Sequence, residues 1–208
     1  MRYVHGLLIV LDGPDASGTS THAKLLAEHL QKEGRAVLLT SEPTDGPIGT
    51  EIREYLKGPQ PGMAAPTTDP MELQLLFTKD RAWHVQNVIE PALAAGKIVV
   101  CDRYWHSTIV YAESQGLDSL ELKNMNNKFV QPDIVLFTLP PLEVSLKRMA
   151  KRSSKDLFER EDLQRKIHAG YTRLAKHDSR VIIIDTSGQK EGTAAVIWKA
   201  YEANTKHA

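Results

Sequence analysis

Residues 7–21 of the chain read Leu7-Leu8-Ile9-Val10-Leu11-Asp12-Gly13-Pro14-Asp15-Ala16-Ser17-Gly18-Thr19-Ser20-Thr21. The apolar run at 7–11 has the composition of a buried strand, and apolar residues recur with helical spacing after the stretch. Between them, Gly13, Gly18 and Ser20 fit the phosphate-binding pattern of Gly, four residues, Gly, Lys and then Ser or Thr. Thr19 stands at the lysine position. The stretch therefore predicts a strand, a phosphate-binding loop that lacks its lysine, and a helix.

Most of the chemistry of such a loop does not depend on the lysine. Glycines let successive backbone N–H groups point at a phosphate, and the helix that follows adds the positive end of its dipole. The hydroxyl of Thr19 cannot replace an ammonium group that reaches the β- and γ-phosphates. The alternative is a polar turn between a strand and a helix. We expect these loop residues to bind ATP: Gly13, Pro14, Ala16, Ser17, Gly18, Thr19, Ser20 and Thr21.

Composition limits the class of protein. A chain of 208 residues suits one domain with a full core, so we expect a single domain over 1–208. The 26 basic and 26 acidic residues balance, which gives no reason to expect nucleic acid or a membrane surface as a partner. The single cysteine, Cys101, excludes an internal disulfide and fits a reducing compartment. Residues 1–5 are too short and polar for a signal peptide, so we expect a cytoplasmic protein.

Five short apolar runs alternate with helical patterns along the chain. Near-continuous runs rich in β-branched residues indicate strands buried on both faces, which predicts a doubly wound α/β fold with a five-stranded parallel sheet. The expected strands are 7–11, 36–40, 97–101, 134–138 and 181–185. The expected helices are 19–33, 48–57, 70–95, 118–129, 142–151, 161–177 and 191–203. Prolines at 59, 61, 66 and 70 predict an irregular surface connection over Lys57 to Pro70.

Ligands of open parallel sheets bind beyond the carboxyl ends of the strands. Asp102 and Arg103 follow the third strand, where an aspartate can hold Mg²⁺ together with Ser20, and an arginine can bind a phosphate through two hydrogen bonds. The alternative is a solvated Asp–Arg pair at a strand end. Glu42 and Pro43 follow the second strand, and Arg53 lies a few turns later on the next helix. Ser107, Thr108 and Tyr111 come shortly after Arg103.

Two further patterns have both a functional and a structural interpretation. Phe77 and Arg81 are four residues apart and share one helix face. Phe77 could stack on a base while Arg81 bonds to the edge of that base. The alternative is that Phe77 packs in the core and the Arg81 side chain extends to solvent. The cationic run from Lys147 to Arg160 is either a solvated face or a lid, at about 148–160, that closes over a triphosphate.

With these residues assembled, the chain resembles the thymidylate kinase family of phosphate-loop nucleoside monophosphate kinases, from about Leu7 to Asp185. The resemblance rests on the following residues: Asp15, Glu42-Pro43, Arg53, Leu75 to Ala82, Asp102-Arg103-Tyr104, Ser107, Thr108, Tyr111, Gln131-Pro132-Asp133 and Tyr171.

The resemblance implies transfer of the γ-phosphoryl group of ATP to dTMP, with Mg²⁺, in a homodimer. It implies that Phe77 stacks on thymine, that Arg81 bonds the carbonyl edge of the base, and that Arg53 and Arg103 hold the monophosphate. The implied dTMP-binding residues are Asp15, Glu42, Pro43, Arg53, Phe77, Arg81, Arg103, Ser107, Thr108, Tyr111 and Tyr171. The implied catalytic residues are Asp15, Asp102, Arg103 and Arg152, and the implied metal ligands are Ser20 and Asp102.

This chain differs from the family at two positions. Thr19 replaces the loop lysine, and this change affects the expected rate of phosphoryl transfer. Ala112 stands where many bacterial members have a glutamine that reaches the base, and this change affects the expected selectivity for the base. A lid arginine or Lys24 could supply the missing charge; the lid arginines are Arg148, which would bind ATP, Arg152 and Arg160. The alternatives are a low-turnover nucleotide-binding protein of the same fold and a related kinase for dUMP or UMP.

Overall fold

The computed structural model, which describes residues 6–57, 69–151 and 157–205, has a parallel sheet at its centre. Its five strands follow one another in the order β2-β3-β1-β4-β5, and every neighbouring pair is parallel. They are β1 (Leu7–Asp12), β2 (Val37–Ser41), β3 (Ile98–Asp102), β4 (Ile134–Thr138) and β5 (Val181–Ile184). The first strand of the chain is therefore the central strand of the sheet.

Helices cover both faces of this sheet. Successive side chains of a strand point to opposite faces, so Ile9 and Leu11 pack beneath α1 and α9, and Leu8 and Val10 pack against helices on the other side. The helices are α1 (Thr19–Lys32), α2 (Pro47–Leu56), α3 (Pro70–His84), α4 (Glu90–Ala94), α5 (Trp105–Ser114), α6 (Leu120–Asn126), α7 (Leu142–Met149), α8 (Glu161–His177) and α9 (Lys190–Thr205). The doubly wound α/β architecture is confirmed.

Two helical segments differ from the prediction. The helix expected over 70–95 is interrupted by a π-helical turn, Val85–Ile89. Pro91 follows that turn and has no N–H with which to continue the helical ladder to the carbonyl of Asn87. Helix α5 was not predicted at all. Most of its residues are buried, so it lacks the alternation of apolar and polar faces by which helices are recognised.

The two outer strands are less buried than their sequences predict. Leu39 of β2 is 41% exposed and Ile183 of β5 is 51% exposed. Each of these strands lies at an edge of the sheet, where its faces are less completely covered than those of the central strands. The prediction of burial on both faces holds for β1, β3 and β4 in the middle of the sheet, apart from the strand ends Leu7 and Asp102, which are half-buried.

The sheet brings three polar strand ends together. Asp102 lies beside Leu11, and Phe137 lies beside Asp12, so the carboxyl ends of β3, β1 and β4 meet at one edge. From β1 the chain crosses to one side to form β2 and β3, and later to the other side to form β4. A crevice for a ligand opens at this reversal, directly beneath the loop that follows β1.

Candidate active site

The loop between β1 and α1 has the backbone of an anion-binding site. Ala16 has a φ of 58° and Gly18 a φ of 95°, a left-handed conformation that favours glycine. The first helical hydrogen bond runs from the N–H of His22 to the carbonyl of Gly18, at 3.0 Å. The N–H groups of Thr19 and the next two residues precede it and have no acceptor within the helix. These donors and the helix dipole can receive a phosphate.

The side chain at the lysine position is held inside the protein. The Thr19 hydroxyl lies 3.0 Å from Ser17 Oγ and 2.9 Å from Thr138 Oγ1, and the latter two atoms are 2.8 Å apart. All three residues are at most 5% exposed. This hydroxyl triad, Ser17, Thr19 and Thr138, joins the loop to the end of β4. A threonine therefore supports the loop here but adds no charge to it.

Asp12, the last residue of β1, connects the loop to two other elements. Its carboxylate accepts hydrogen bonds of 2.6 Å from both the Tyr171 hydroxyl and the Ser107 hydroxyl, and one of 2.8 Å from the N–H of Gly13. Asp12 and Tyr171 are fully buried. Burial and then the charge of Asp12 raise the pKa of Tyr171 well above its usual range, so the phenol remains a donor. Asp12 thus fixes α5 and α8 against the loop.

Arg103 and Asp15 face each other across the crevice. Arg103 donates from Nη1 to the carbonyl of Gly13 at 2.8 Å and from Nη2 to Asp15 Oδ1 at 2.8 Å. The other carboxylate oxygen of Asp15 accepts a hydrogen bond of 2.7 Å from Gln164 Nε2 on α8. Arg103 has a φ of 71°, the left-handed conformation that a side chain rarely adopts, in the turn between β3 and α5. The turn brings a guanidinium group to the mouth of the loop.

Asp102 provides oxygen atoms suited to a magnesium ion. Its Oδ1 atom is buried and has no hydrogen-bond partner among the described residues. Burial raises the pKa of Asp102, while the charge of Arg103 and a hydrogen bond from Ser20 oppose that shift. A hydroxyl and a carboxylate beside a phosphate-binding loop are hard oxygen ligands, which Mg²⁺ prefers, with water and phosphate completing its shell. In the described part of the chain, no group of three or more His, Cys, Asp or Glu side chains is arranged to hold a metal.

A cavity of about 460 Å³, including its mouth, opens beside the loop. Aromatic side chains form much of the wall, and the Tyr111 ring meets the Phe158 ring edge to face at 4.9 Å. The lining residues are Asp15, Pro43, Leu56, Gln74, Phe77, Arg103, Ser107, Thr108, Tyr111 and Phe158. The cavity therefore has a polar end at the loop and a largely apolar body.

Arg81 and Glu42, two of the expected dTMP ligands, are buried behind this wall. Arg81 donates from Nε to Glu42 at 2.8 Å, from Nη1 to Asn126 Oδ1 and from Nη2 to Thr108 Oγ1 at 3.2 Å. The Arg81 side chain is 1% exposed. In this conformation its charge is neutralised by Glu42, and only Thr108 of the four residues lines the cavity.

Arg53 and Ala112 also lie outside the lining of the cavity. Arg53 donates to the carbonyls of Pro43 and Thr44 and pairs with Asp45 at 3.0 Å. It thereby holds the turn after β2, which brings Pro43 to the cavity. Ala112, a residue of α5, is fully buried in the core.

Arg148 is the lid arginine that reaches the loop in the described part of the chain. It donates from Nη2 to the carbonyl of Thr186 at 2.6 Å and from Nη1 to that of Ala16 at 3.4 Å. Lys24 is 69% exposed and lies 3.9 Å from Glu28 on α1. Arg160 is 73% exposed and pairs with Asp162. Arg152 lies outside the described residues.

Several residues of the site were not identified from the sequence. Asp12 and Thr138 end their strands just as Asp102 ends β3, so the rule applied to β3 would have found them. Gln74, Phe158 and Gln164 lie within or beside helices, and their spacing does not distinguish them from core or surface residues. Only the packing of α3 and α8 brings them to the crevice.

The sheet order, the glycine loop after its central strand and the cavity at the topological switch define a phosphate-loop nucleoside monophosphate kinase. The chain belongs to the thymidylate kinase family, which it matches over residues 11–197. A protein of Thermococcus kodakarensis described as a probable thymidylate kinase is 41% identical over 182 residues, 86% of this chain and 89% of the relative. A Synechococcus protein described as a thymidylate kinase is 36% identical over 203 residues, 94% of each chain. Among the described residues, no helix is long and apolar enough to cross a membrane.

Proposed function

We propose that this chain is a thymidylate kinase, which transfers the γ-phosphoryl group of ATP to dTMP and produces ADP and dTDP. The observation that carries the proposal is the cavity, which leads from the aromatic ring of Phe77 to Arg103 and Asp15 at the mouth of the phosphate loop. A nucleoside monophosphate placed along it has its base beside Phe77 and its phosphate beside Arg103. The acceptor phosphate then faces a donor triphosphate bound at the loop.

The reaction needs alignment and charge more than proton transfer. The attacking oxygen of a nucleoside monophosphate is already anionic near neutral pH, so no general base is required. Arg103 holds this phosphate, and its hydrogen bonds to Gly13 and Asp15 fix the direction of its guanidinium. Tyr111 packs beside the sugar. Asp12 and Tyr171 keep α5 and α8 in place beneath them.

Ser20 and Asp102 would hold Mg²⁺ at this site. Bound there, the ion would neutralise charge on the donor phosphates. Asp102 is fixed for that role by its position at the end of β3 and by the hydrogen bond from Ser20.

The charge of the absent loop lysine is supplied by the lid in this proposal. Arg148 contacts the carbonyl of Ala16 and lies in a second cavity with Gly18, Thr21, His22 and Lys190, where the donor nucleotide would bind. Arg152 remains a candidate to contact the γ-phosphate. Lys24 and Arg160 are exposed and paired elsewhere, which makes them weaker candidates.

A coupled assay of ADP release tests the proposed reaction. With ATP and Mg²⁺, we expect turnover with dTMP and much less with dUMP, UMP or dCMP. Tight binding of ATP and dTMP without turnover would instead indicate a nucleotide-binding protein, an outcome that the buried, neutral Thr19 makes worth testing. Preferential turnover of dUMP or UMP would indicate a related kinase.

The proposal also covers the domain organisation, the oligomeric state and the cellular location of the protein. We expect one kinase domain over 1–208 with a lid at about 148–160, in a cytoplasmic homodimer. Light scattering coupled to size-exclusion chromatography should give about twice the mass of the 23.2 kDa chain. A mass equal to that of one chain at micromolar concentration would contradict the dimer.

A further inference from the structure

Gln74 on α3 has a buried side chain whose polar atoms lack partners. The residue is 0% exposed, and among the described residues neither Nε2 nor Oε1 has a hydrogen-bond partner. An unpaired amide in a protein interior is unfavourable, because the group has lost water and gained nothing in exchange. Buried polar groups of this kind are uncommon and call for an explanation.

A second buried amide on the same side of α3 shows the usual arrangement. Asn126 accepts a hydrogen bond from Arg81 and donates one of 2.7 Å to the carbonyl of Leu122. Its neighbour Thr78 donates to the backbone carbonyl of Gln74 at 3.0 Å, so the backbone of Gln74 is satisfied while its side chain is not. The packing around α3 therefore satisfies the buried amide of Asn126 and leaves both polar side-chain atoms of Gln74 unpaired.

The position of Gln74 indicates what could pair with it. It lines the cavity with Phe77 and Thr108, and Phe77 lies one turn further along the same face of α3. Arg103 and its partner Asp15 lie at the loop end of the cavity, and Arg103 is the group that would hold the phosphate. A base stacked on Phe77 would therefore present its edge to Gln74.

We infer that Gln74 recognises the imide edge of the pyrimidine base and so contributes to base specificity. A carboxamide has one donor and one acceptor side by side, and thymine and uracil present a carbonyl acceptor beside an N3–H donor. Two hydrogen bonds form when the Nε2 group donates to the carbonyl and Oε1 accepts from N3–H. This role rests on the proposed function, because it requires a pyrimidine nucleotide in the cavity.

Replacing Gln74 by Met tests the role, because methionine has a similar shape and cannot form these bonds. The dissociation constants of dTMP and dCMP are measured by calorimetry without ATP, so the result does not depend on turnover. We expect dTMP to bind about five- to tenfold more weakly to the variant, and the preference for dTMP over dCMP to fall by a similar factor. The thermal midpoint of the unliganded variant should not fall, since two unpaired polar atoms have been removed.

Gln131→Met is the matched control. Gln131 precedes β4 at the opposite end of the sheet and donates to the carbonyl of Phe129 at 2.9 Å. It should leave both dissociation constants unchanged. Gln74→Leu repeats the test with a second apolar side chain.

Unchanged dTMP binding and an unchanged preference in both Gln74 variants would overturn the inference. A lower thermal midpoint together with an unchanged preference would also overturn it, because that result describes a structural residue. If the wild-type protein binds dTMP but does not turn it over, the kinase proposal fails while the binding comparison still decides the role of Gln74.

Discussion

At the scale of single residues, Arg148 carries the sharpest expectation. Among the described residues of the lid, Arg148 is the arginine whose guanidinium contacts the phosphate loop. Removing one preorganised donor from a site of this kind slows turnover by about 10²–10³. We expect Arg148→Ala to lower kcat by about that factor and to change the dissociation constant of dTMP by less than about twofold. Steady-state kinetics and calorimetry measure the two quantities separately.

Arg165→Ala provides the comparison for Arg148. Arg165 is exposed and pairs with Glu161 along α8. The same loss of charge there should leave kcat unchanged. Equal rates for Arg148→Ala and the wild-type enzyme would place the compensating charge elsewhere, with Arg103 and Arg152 the next residues to test.

Residues of the site differ in how far the sequence could predict them. Gly13, Gly18, Asp102 and Arg103 belong to local patterns whose chemistry fixes their position, and the structure brings them together as expected. Arg81 matches the pattern of the thymidylate kinase family, yet its guanidinium is buried against Glu42. Whether a side chain is free or already paired depends on distant parts of the chain, which local spacing does not record.

At the scale of elements, the phosphate loop depends on its close approach to β4. A Cβ atom added at Gly13 would lie 2.4 Å from the carbonyl oxygen of Thr138 and 2.8 Å from Ser17 Oγ. Backbone atoms of a central strand cannot move aside, so Gly13→Ala should displace the loop and weaken ATP binding at least tenfold. Calorimetry with ATP measures the loss.

Gly192→Ala is the matched change in a permissive place. Gly192 lies in the first turn of α9, and nothing lies within 4 Å of an added Cβ. Alanine there should leave ATP binding unchanged and raise the free energy of unfolding by about 0.5–1 kcal/mol. If Gly13→Ala bound ATP as tightly as Gly192→Ala, the loop would not require the contact with Thr138.

Elements with a clear pattern were predicted well, and those dominated by tertiary packing were not. Helix α8 runs from Glu161 to His177 as its amphipathic pattern predicted. Helix α5 escaped prediction because the core surrounds it. Since α5 contributes Ser107, Thr108 and Tyr111 to the cavity, those residues were expected at the site while the element that positions them was not.

At the scale of the whole molecule, Glu113 joins three helices and makes stability depend on pH. It accepts hydrogen bonds from Ser119, from Lys123 and from Arg173 of α8. Burial raises the pKa of Glu113, but these hydrogen bonds outweigh that effect and lower the pKa from 4.5 to about 2. A carboxyl group whose pKa is lowered by folding stabilises the protein above its unfolded pKa, and this contribution is lost as the pH falls towards 2.

Glu113→Gln should therefore lower the free energy of unfolding near pH 6 and make it depend less on pH between 4.5 and 2. Urea denaturation across that range measures both effects. Glu51→Gln, at an exposed position of α2, removes the same charge and should keep the wild-type pH dependence. Identical pH profiles for Glu113→Gln and the wild type would show that the three hydrogen bonds do not stabilise the charged carboxylate.

The hydrogen bonds of Asp12 set the order in which a newly made chain can become functional. The ribosome makes the loop sequence early, but the groups that fix the loop come from Ser107, Thr138 and Tyr171, which are synthesised far later. Even β1 has no neighbouring strand until β3 has been made. A nascent chain that ends before Ser107 therefore contains every residue of the phosphate loop and lacks all three of the groups that hold it in shape.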